Sequence, residues 1–175
     1  TINRQIKDIE NLVNEFSNFA RMPRPVFKKV NINEIIQRSI KLSEASLSSK
    51  ISFKNSKGKI MINGDENQLN RVFINLIKNS EESIQDKVSE KPNFQGKIDI
   101  EINSNNDYIV VTLTDNGVGI SDTKKAMTPY YTTKKKGTGL GLPIVTKILN
   151  EHSAEFMISN NKRNNGVKIE IFFQN

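Results

Sequence analysis

Two asparagines four residues apart, Asn75 and Asn79, sit in a run that carries Leu69, Val72, Phe73, Leu76 and Ile77. On a helix that spacing presents both amides on one face. Asn is a weak helix former, so two on one face ask for a reason. A carboxamide oxygen is a hard, neutral ligand suited to Mg²⁺, although an Asn-rich chain can also place such residues simply toward solvent. A second cluster is Asp115-Asn116-Gly117-Val118-Gly119-Ile120, directly after an alternating apolar run. An ionised Asp at a strand end can accept from an exocyclic amine such as the adenine 6-amino group, and the glycines let a ligand approach backbone. The same letters also fit an ordinary hairpin turn. The third cluster is Gly137-Thr138-Gly139-Leu140-Gly141-Leu142, followed by Pro143. Gly-rich backbone entering a helix offers N–H donors and a positive dipole end to phosphates, and Pro is accommodated in a first helical turn. It lacks the Gly-Lys-Ser/Thr of a Walker A loop and the spacing of a dinucleotide fingerprint. Lys134, Lys135 and Lys136 precede it and could meet a triphosphate or simply be solvated.

The composition narrows the chemistry further. The 175 residues contain no Cys and one His, His152. That excludes disulfides, thiolate metal sites, cysteine nucleophiles and multi-histidine metal centres. The formal charge of +7 suits an anionic ligand or an acidic partner, but the Lys residues are scattered and few aromatics accompany them, which gives no nucleic-acid signature. No run of 18 apolar residues spans a membrane, and no signal-peptide pattern is present. The chain begins with Thr, which reads as the start of a piece of a longer protein.

These clusters need elements to hold them. Ile2, Ile6, Ile9, Val13, Phe16 and Ala20 alternate by four and three, the spacing of a coiled-coil seam, which fits either a helix packed on its own domain or half of a helical hairpin in a dimeric bundle. Met22-Pro23-Arg24-Pro25 then breaks the helix and reads as a hinge. Val26–Val30 reads as a short strand, and Asn31-Ile32-Asn33-Glu34 as a capping box opening a helix to about Leu47. Ile51–Lys54 and Lys59–Ile62 read as strands around a Ser-Lys-Gly turn. Asp65-Glu66-Asn67-Gln68 opens the helix that carries the asparagines. Ile98, Ile100 and Ile102, then Ile109, Val111 and Leu113, alternate with polar residues as half-buried strands. The stretch 121–138 has few large apolar residues and reads as mobile. A helix from about Gly139 to Glu151 and strands near 155–160 and 167–173 follow. Strands and helices segregate without βαβ regularity, so the fold expected is α+β, one sheet with helices on one face.

Each cluster alone is weak. In this order and with these separations they closely resemble the ATP-binding domain of sensor histidine kinases of two-component systems, nitrogen-regulation type, within the GHKL superfamily. Asn75 and Asn79 match that family's N box, Asp115 to Ile120 its first Gly box, and Gly137 to Leu142 its second. Pro129-Tyr130-Tyr131-Thr132-Thr133-Lys134 resembles the segment before the second Gly box. The resemblance covers about residues 26–175. Glu15-Phe16-Ser17-Asn18-Phe19-Ala20-Arg21 resembles the second helix of the family's dimerisation bundle.

The resemblance implies a two-layer α/β sandwich with a mixed sheet. It assigns 1–22 to one helix of a dimerisation and phosphotransfer bundle, 23–30 to a hinge and first strand, and 31–175 to a catalytic domain. It implies ATP and Mg²⁺ as cofactors, with Asn79 as the metal ligand and Asn75 beside the phosphates. Asp115 would read the adenine amine, helped by backbone near Gly117 and Gly119. Residues 121–141 would form a lid, with Lys134, Gly137, Thr138, Gly139, Leu140 and Gly141 at the nucleotide. Ser80 stands where Ala is usual, Pro143 replaces a frequent Ala, and His152-Ser153-Ala154 replaces a His-Gly-Gly-like turn. His152 reads as a helix C-terminal residue satisfying the last carbonyls, not as the phosphoacceptor. That acceptor would lie on a helix upstream of Thr1. The implied partners are a response regulator receiver domain and a second copy through the leading helix. No nucleic acid is expected, and a membrane only through upstream segments, which makes the chain the cytoplasmic portion of a membrane-anchored bacterial kinase. Competing readings are a GHKL ATPase with clamp closure as output, a protein–serine kinase of the anti-sigma type, and a dimerisation or regulator-binding module with a vestigial site.

Overall fold

The computed structural model describes residues 6–7, 9–10, 13–14, 16–17, 20–55, 58–129, 131–132, 138–161 and 165–175. The elements in chain order are β1 (Lys28–Asn31), α1 (Ile32–Ser43), β2 (Lys50–Lys54), β3 (Met61–Gly64), α2 (Glu66–Glu90), β4 (Lys97–Ser104), β5 (Tyr108–Asp115), α3 (Thr123–Ala126), α4 (Gly141–Glu151), β6 (Glu155–Asn160) and β7 (Val167–Gln174). A five-stranded sheet runs β2-β4-β5-β7-β6, and β1 and β3 form a separate two-stranded sheet. The large sheet is mixed: β2 lies parallel to β4, and the other pairs are antiparallel.

Strict alternation decides which sheet face is covered. Ile98, Ile100 and Ile102 of β4, Ile109, Val111 and Leu113 of β5, and Val167, Ile169 and Ile171 of β7 are all buried. Their neighbours Asp99, Glu101, Thr112 and Glu170 lie on the other, more open face. Against the apolar face pack α2, through Leu69, Val72, Phe73, Leu76 and Ile77, and α4, through Val145, Ile148 and Leu149. Helix α1 adds Ile32, Ile35 and Ile36. Each such side chain contributes about 1.5–3 kcal/mol of burial, and truncating one, Leu76→Ala for example, costs about 2–5 kcal/mol.

The helix starts follow their caps. Asn31 Oδ1 accepts from Asn33 N–H, and its amide donates to Glu34 Oε1 at 2.8 Å. Asp65 Oδ1 accepts from the N–H groups of Asn67 and Gln68. Helix α1 stops at Ser43, and a 3₁₀ turn, Glu44–Ser46, covers the rest of the expected span.

Both strands expected around the Ser-Lys-Gly segment form, but they belong to different sheets. Ile51 and Phe53 of β2 align with Ile98 and Ile100 of β4, extending the buried row. β3 instead pairs with β1, and Asn31 Oδ1 also accepts from Ile60 N–H. The mixed sheet with helices on one face is as expected, a small two-stranded sheet stands beside it, and the first strand begins at Lys28 rather than Val26.

The segment with Pro23 and Pro25 is held against the domain. Gln68 Nε2 donates to Pro23 O at 2.9 Å, and Val26 N–H donates to Asp65 Oδ2 at 2.8 Å. His152 joins the same junction. Its Nε2 accepts from Asp65 N–H at 2.9 Å, its Nδ1 lies 2.7 Å from Ile148 O, and its ring stacks obliquely near Phe27. It holds the last turn of α4, as expected of a helix C-terminal residue. Burial raises the Asp65 pKa, but hydrogen bonds from Val26, Gln68 and Asn67 and the nearby His152 outweigh it, leaving the carboxyl below its usual value. The described residues between 6 and 20 are helical. Ile6, Ile9, Val13 and Phe16 of the heptad seam are 48–60% exposed there.

Candidate functional site

The apolar stripe of α2 fixes its rotation, which sets Asn75 and Asn79 half-buried at the border of the core. They line a cleft of about 690 Å³ between α2, the end of β5 and the start of α4. Both amides face Gly141, the first residue of α4: a Cβ there would lie 3.5 Å from Asn75 Oδ1 and from the amide of Asn79. Asn75 also donates to Arg71 O at 2.8 Å, which orients its amide. Thr138, Gly139, Gly141 and Leu142 line the same cleft. The N-cap of α4, Leu140, brings no side-chain hydrogen bond, so the positive end of this helix opens onto the asparagine pair.

Asp115 stands at the other end of the cleft. Period-2 alternation places it in the same row as Ile109, Val111 and Leu113, so a carboxylate ends a buried apolar row at 2% exposure. Donors are supplied to match. Oδ1 accepts from Gly117 N–H at 3.0 Å and Val167 N–H at 3.1 Å, and Oδ2 accepts from the Ser80 hydroxyl at 3.0 Å. Both carboxyl oxygens therefore act as acceptors.

The loop after Asp115 is clamped from several sides. Gly119 has φ +82°, the left-handed region, and a Cβ would lie 2.7 Å from Asn165 O. Gly117 lies against Ser83, whose hydroxyl accepts from Val118 N–H at 3.1 Å. Lys87 Nζ donates to Asn116 O at 2.6 Å and Gly117 O at 3.0 Å while sitting 4.6 Å over the Phe94 ring. Asn160 holds Ile120 from both sides of its peptide, accepting from its N–H and donating to its carbonyl, each at 2.8 Å. On α2, Glu81 anchors the start of β2 through the N–H groups of Ser48 and Ser49. Burial raises its pKa, and hydrogen bonds from Ser49, Ser48 and Gln85 more than offset that, leaving it below the usual value.

Asn75, Asn79, Asp115, Gly119, Thr138, Gly139 and Gly141 thus converge on one cleft. Leu140 is fully buried in the core with the apolar residues of α4 and does not line the cleft. Gly117 is spent on contact with Ser83. Lys134, Lys135, Lys136 and Gly137 lie outside the described residues. The stretch read as a lid includes the short helix α3, capped by Asp122. Sequence reasoning missed Ser83, Lys87, Asn160 and Gly166 as supports of this site. A Cβ at Gly166 would lie 1.9 Å from Asp115 O, so β7 approaches Asp115 only through a glycine. Its one sequence signal was the Asn-Gly pair of a hairpin turn.

The arrangement offers an amine acceptor at one end of the cleft and helix N–H groups with neutral carboxamides at the other. Among the described residues no group of three His, Asp or Glu could hold a metal alone. A single carboxamide ligand fits an ion that arrives coordinated by phosphate oxygens and water, as Mg²⁺ does.

A family model described as histidine kinase-, DNA gyrase B- and HSP90-like ATPase matches residues 64–175. The chain belongs to this ATPase family. It is 37% identical over 97% of its length to a putative NtrY-like sensor histidine kinase of Rickettsia conorii, and 32% identical over 98% to the nitrogen regulation protein NtrY of Azorhizobium caulinodans. It spans 28% and 22% of the length of those relatives. Among solved structures, the nucleotide-free catalytic domain of histidine kinase ThkA superposes with a TM-score of 0.71 at 28% identity, covering 85% of this chain and 97% of that one. The α+β architecture is that of histidine kinase catalytic domains.

Proposed function

We propose that this ATPase domain is the catalytic core of a two-component sensor kinase. It transfers the γ-phosphoryl of ATP to a histidine on a helical bundle, from which an aspartate of a response regulator receiver domain takes it. The single observation that carries this reading is the convergence of Asn75, Asn79 and the start of α4 at one end of a cleft whose other end is Asp115.

Asp115 accepts the adenine amine, with Gly119 allowing close approach of the base. Thr138 and the backbone of Gly139 to Gly141 donate to the phosphates, joined by Lys134 and Gly137. Asn79 holds Mg²⁺ and Asn75 lies beside the phosphates. Bound there, Mg²⁺ would neutralise charge on the phosphate oxygens. Phosphoryl transfer needs mainly positioning and charge stabilisation, which is what these groups supply. The phosphoacceptor is not His152, whose ring nitrogens face Ile148 O and Asp65 N–H at the far end of α4. The exposed seam of Ile6, Ile9 and Val13 supports a homodimer through the leading helix. The longer protein would be membrane-anchored with this part in the cytoplasm.

The test is phosphotransfer from γ-labelled ATP. The 175-residue chain alone should give no acid-labile phosphohistidine. A longer chain that includes the preceding helix should give it, and should pass the label to a receiver domain. Label on His152 would overturn the assignment. Nucleotide-dependent compaction with no phosphotransfer in the longer chain would favour a clamp-type ATPase.

A further inference from the structure

Ser80 follows Asn79 on α2, is 2% exposed, and lines the cleft. Its hydroxyl donates to Asp115 Oδ2 at 3.0 Å, on the side of the carboxylate opposite the Gly117 and Val167 N–H groups that hold Oδ1. The carboxylate is therefore fixed by backbone through one oxygen, while its second oxygen shares the cleft wall with a rotatable O–H.

A hydroxyl differs from the backbone donors in one respect: its hydrogen can be redirected by rotation about a single bond. A carboxylate oxygen beside such a hydroxyl presents an acceptor next to a donor. The Watson–Crick edge of adenine presents the complement, the 6-amino donor next to the N1 acceptor. Guanine presents the reverse order, a carbonyl acceptor next to an N1–H donor, and would set its carbonyl against the Asp115 carboxylate.

We propose that Ser80 is a specificity-determining residue of the nucleotide site, donating its hydroxyl hydrogen to adenine N1 while the 6-amino group takes its place on Asp115 Oδ2. The proposal rests on the reading that Asp115 receives the adenine amine. The exchange conserves hydrogen bonds. In the free protein Oδ2 is satisfied by Ser80; in the complex Oδ2 is satisfied by the amine and the Ser80 hydrogen by N1. No buried polar group is stranded in either state, which is the condition a dry base pocket must meet. An alanine at this position would leave N1 without this donor. A Ser80 that merely satisfied Asp115 would not respond to the identity of the ring atom at position 1.

The test is a cycle that pairs one protein atom with one ligand atom. Affinities of the wild-type chain and Ser80→Ala are measured by calorimetry for Mg·ATP and for Mg·1-deaza-ATP, in which N1 is replaced by C–H. One ordinary hydrogen bond corresponds to about a fivefold to tenfold effect. The wild type should bind 1-deaza-ATP about five- to tenfold more weakly than ATP, and Ser80→Ala should discriminate by less than twofold. The same discrimination in both proteins, with ATP binding intact, would overturn the role of Ser80 and leave the nucleotide reading standing. Failure of the folded wild type to bind ATP would overturn both. Should Ser80→Ala unfold at the assay temperature, the wild type alone decides: a loss of less than twofold with 1-deaza-ATP refutes the proposal.

Discussion

Replacing Asp115 by Asn changes one atom of a buried acceptor, and the structure dictates where the change falls. Oδ1 faces two backbone donors, Gly117 N–H and Val167 N–H, neither of which can turn away. An amide NH₂ in that place would meet donor with donor twice, so the Asn must put its oxygen there. The NH₂ then occupies the Oδ2 position beside Ser80, whose hydroxyl can rotate and accept. The protein therefore keeps its internal hydrogen bonds and should remain folded. The proposed adenine amine, however, now meets a donor. Loss of a charge-assisted hydrogen bond costs about 1.5–3 kcal/mol, which is roughly a tenfold to somewhat over a hundredfold loss of affinity. Calorimetry with Mg·ATP reads this directly, with circular dichroism to confirm the fold. The control is the 6-H purine nucleotide, which has no amine to lose: its affinity should change far less. Unchanged ATP affinity in Asp115→Asn, or equal losses for the two nucleotides, would refute the reasoning.

Asn79→Ala should abolish most of the Mg²⁺-dependent gain in ATP affinity while the melting temperature stays within a few degrees; titrations with and without Mg²⁺ measure it. Asn160→Ala removes both bonds to the Ile120 peptide, and hydrogen exchange at Ile120 N–H should accelerate at least fivefold, corresponding to about 1 kcal/mol of local stability. Asp65 and Glu81 both have pKa values below their usual ones, so each stabilises the fold above its unfolded pKa of about 4 and loses that contribution as pH falls through the lower folded value. Denaturant melts should therefore show stability declining below about pH 4, with a shallower decline in Asp65→Asn and in Glu81→Gln.

Much of the site was legible because its residues sit on strongly periodic elements. Alternation in β5 runs straight into Asp115, and the apolar stripe of α2 leaves Asn75 and Asn79 at its margin. The capping signals at Asn31 and Asp65 placed both helix starts within a residue. What was not legible depends on contacts between distant segments. A Ser-Lys-Gly turn between two short strands looks local, yet β2 finds its partner in β4 and β3 in β1, because burial of Ile51 and Phe53 beside Ile98 and Ile100 outweighs the short turn. Gly166 gave only a turn signal, and its closeness to Asp115 exists only once β7 lies against β5. Lys87 carries no motif of its own, and only the fold brings it to the carbonyls of Asn116 and Gly117. Ser80 read as a departure from a family pattern; its hydroxyl on Asp115 shows why a polar residue is accommodated there.

The central claim is that one nucleotide bridges Asp115 and the Asn79–Gly141 end of the cleft. A crystal structure of the chain with Mg²⁺ and a non-hydrolysable ATP analogue tests it most directly. The account predicts the adenine amine within hydrogen-bonding distance of Asp115 Oδ2, the phosphates at the start of α4, and the Asn79 oxygen on the metal ion. A nucleotide bound with its base away from Asp115, or an ion that Asn79 does not touch, would contradict it.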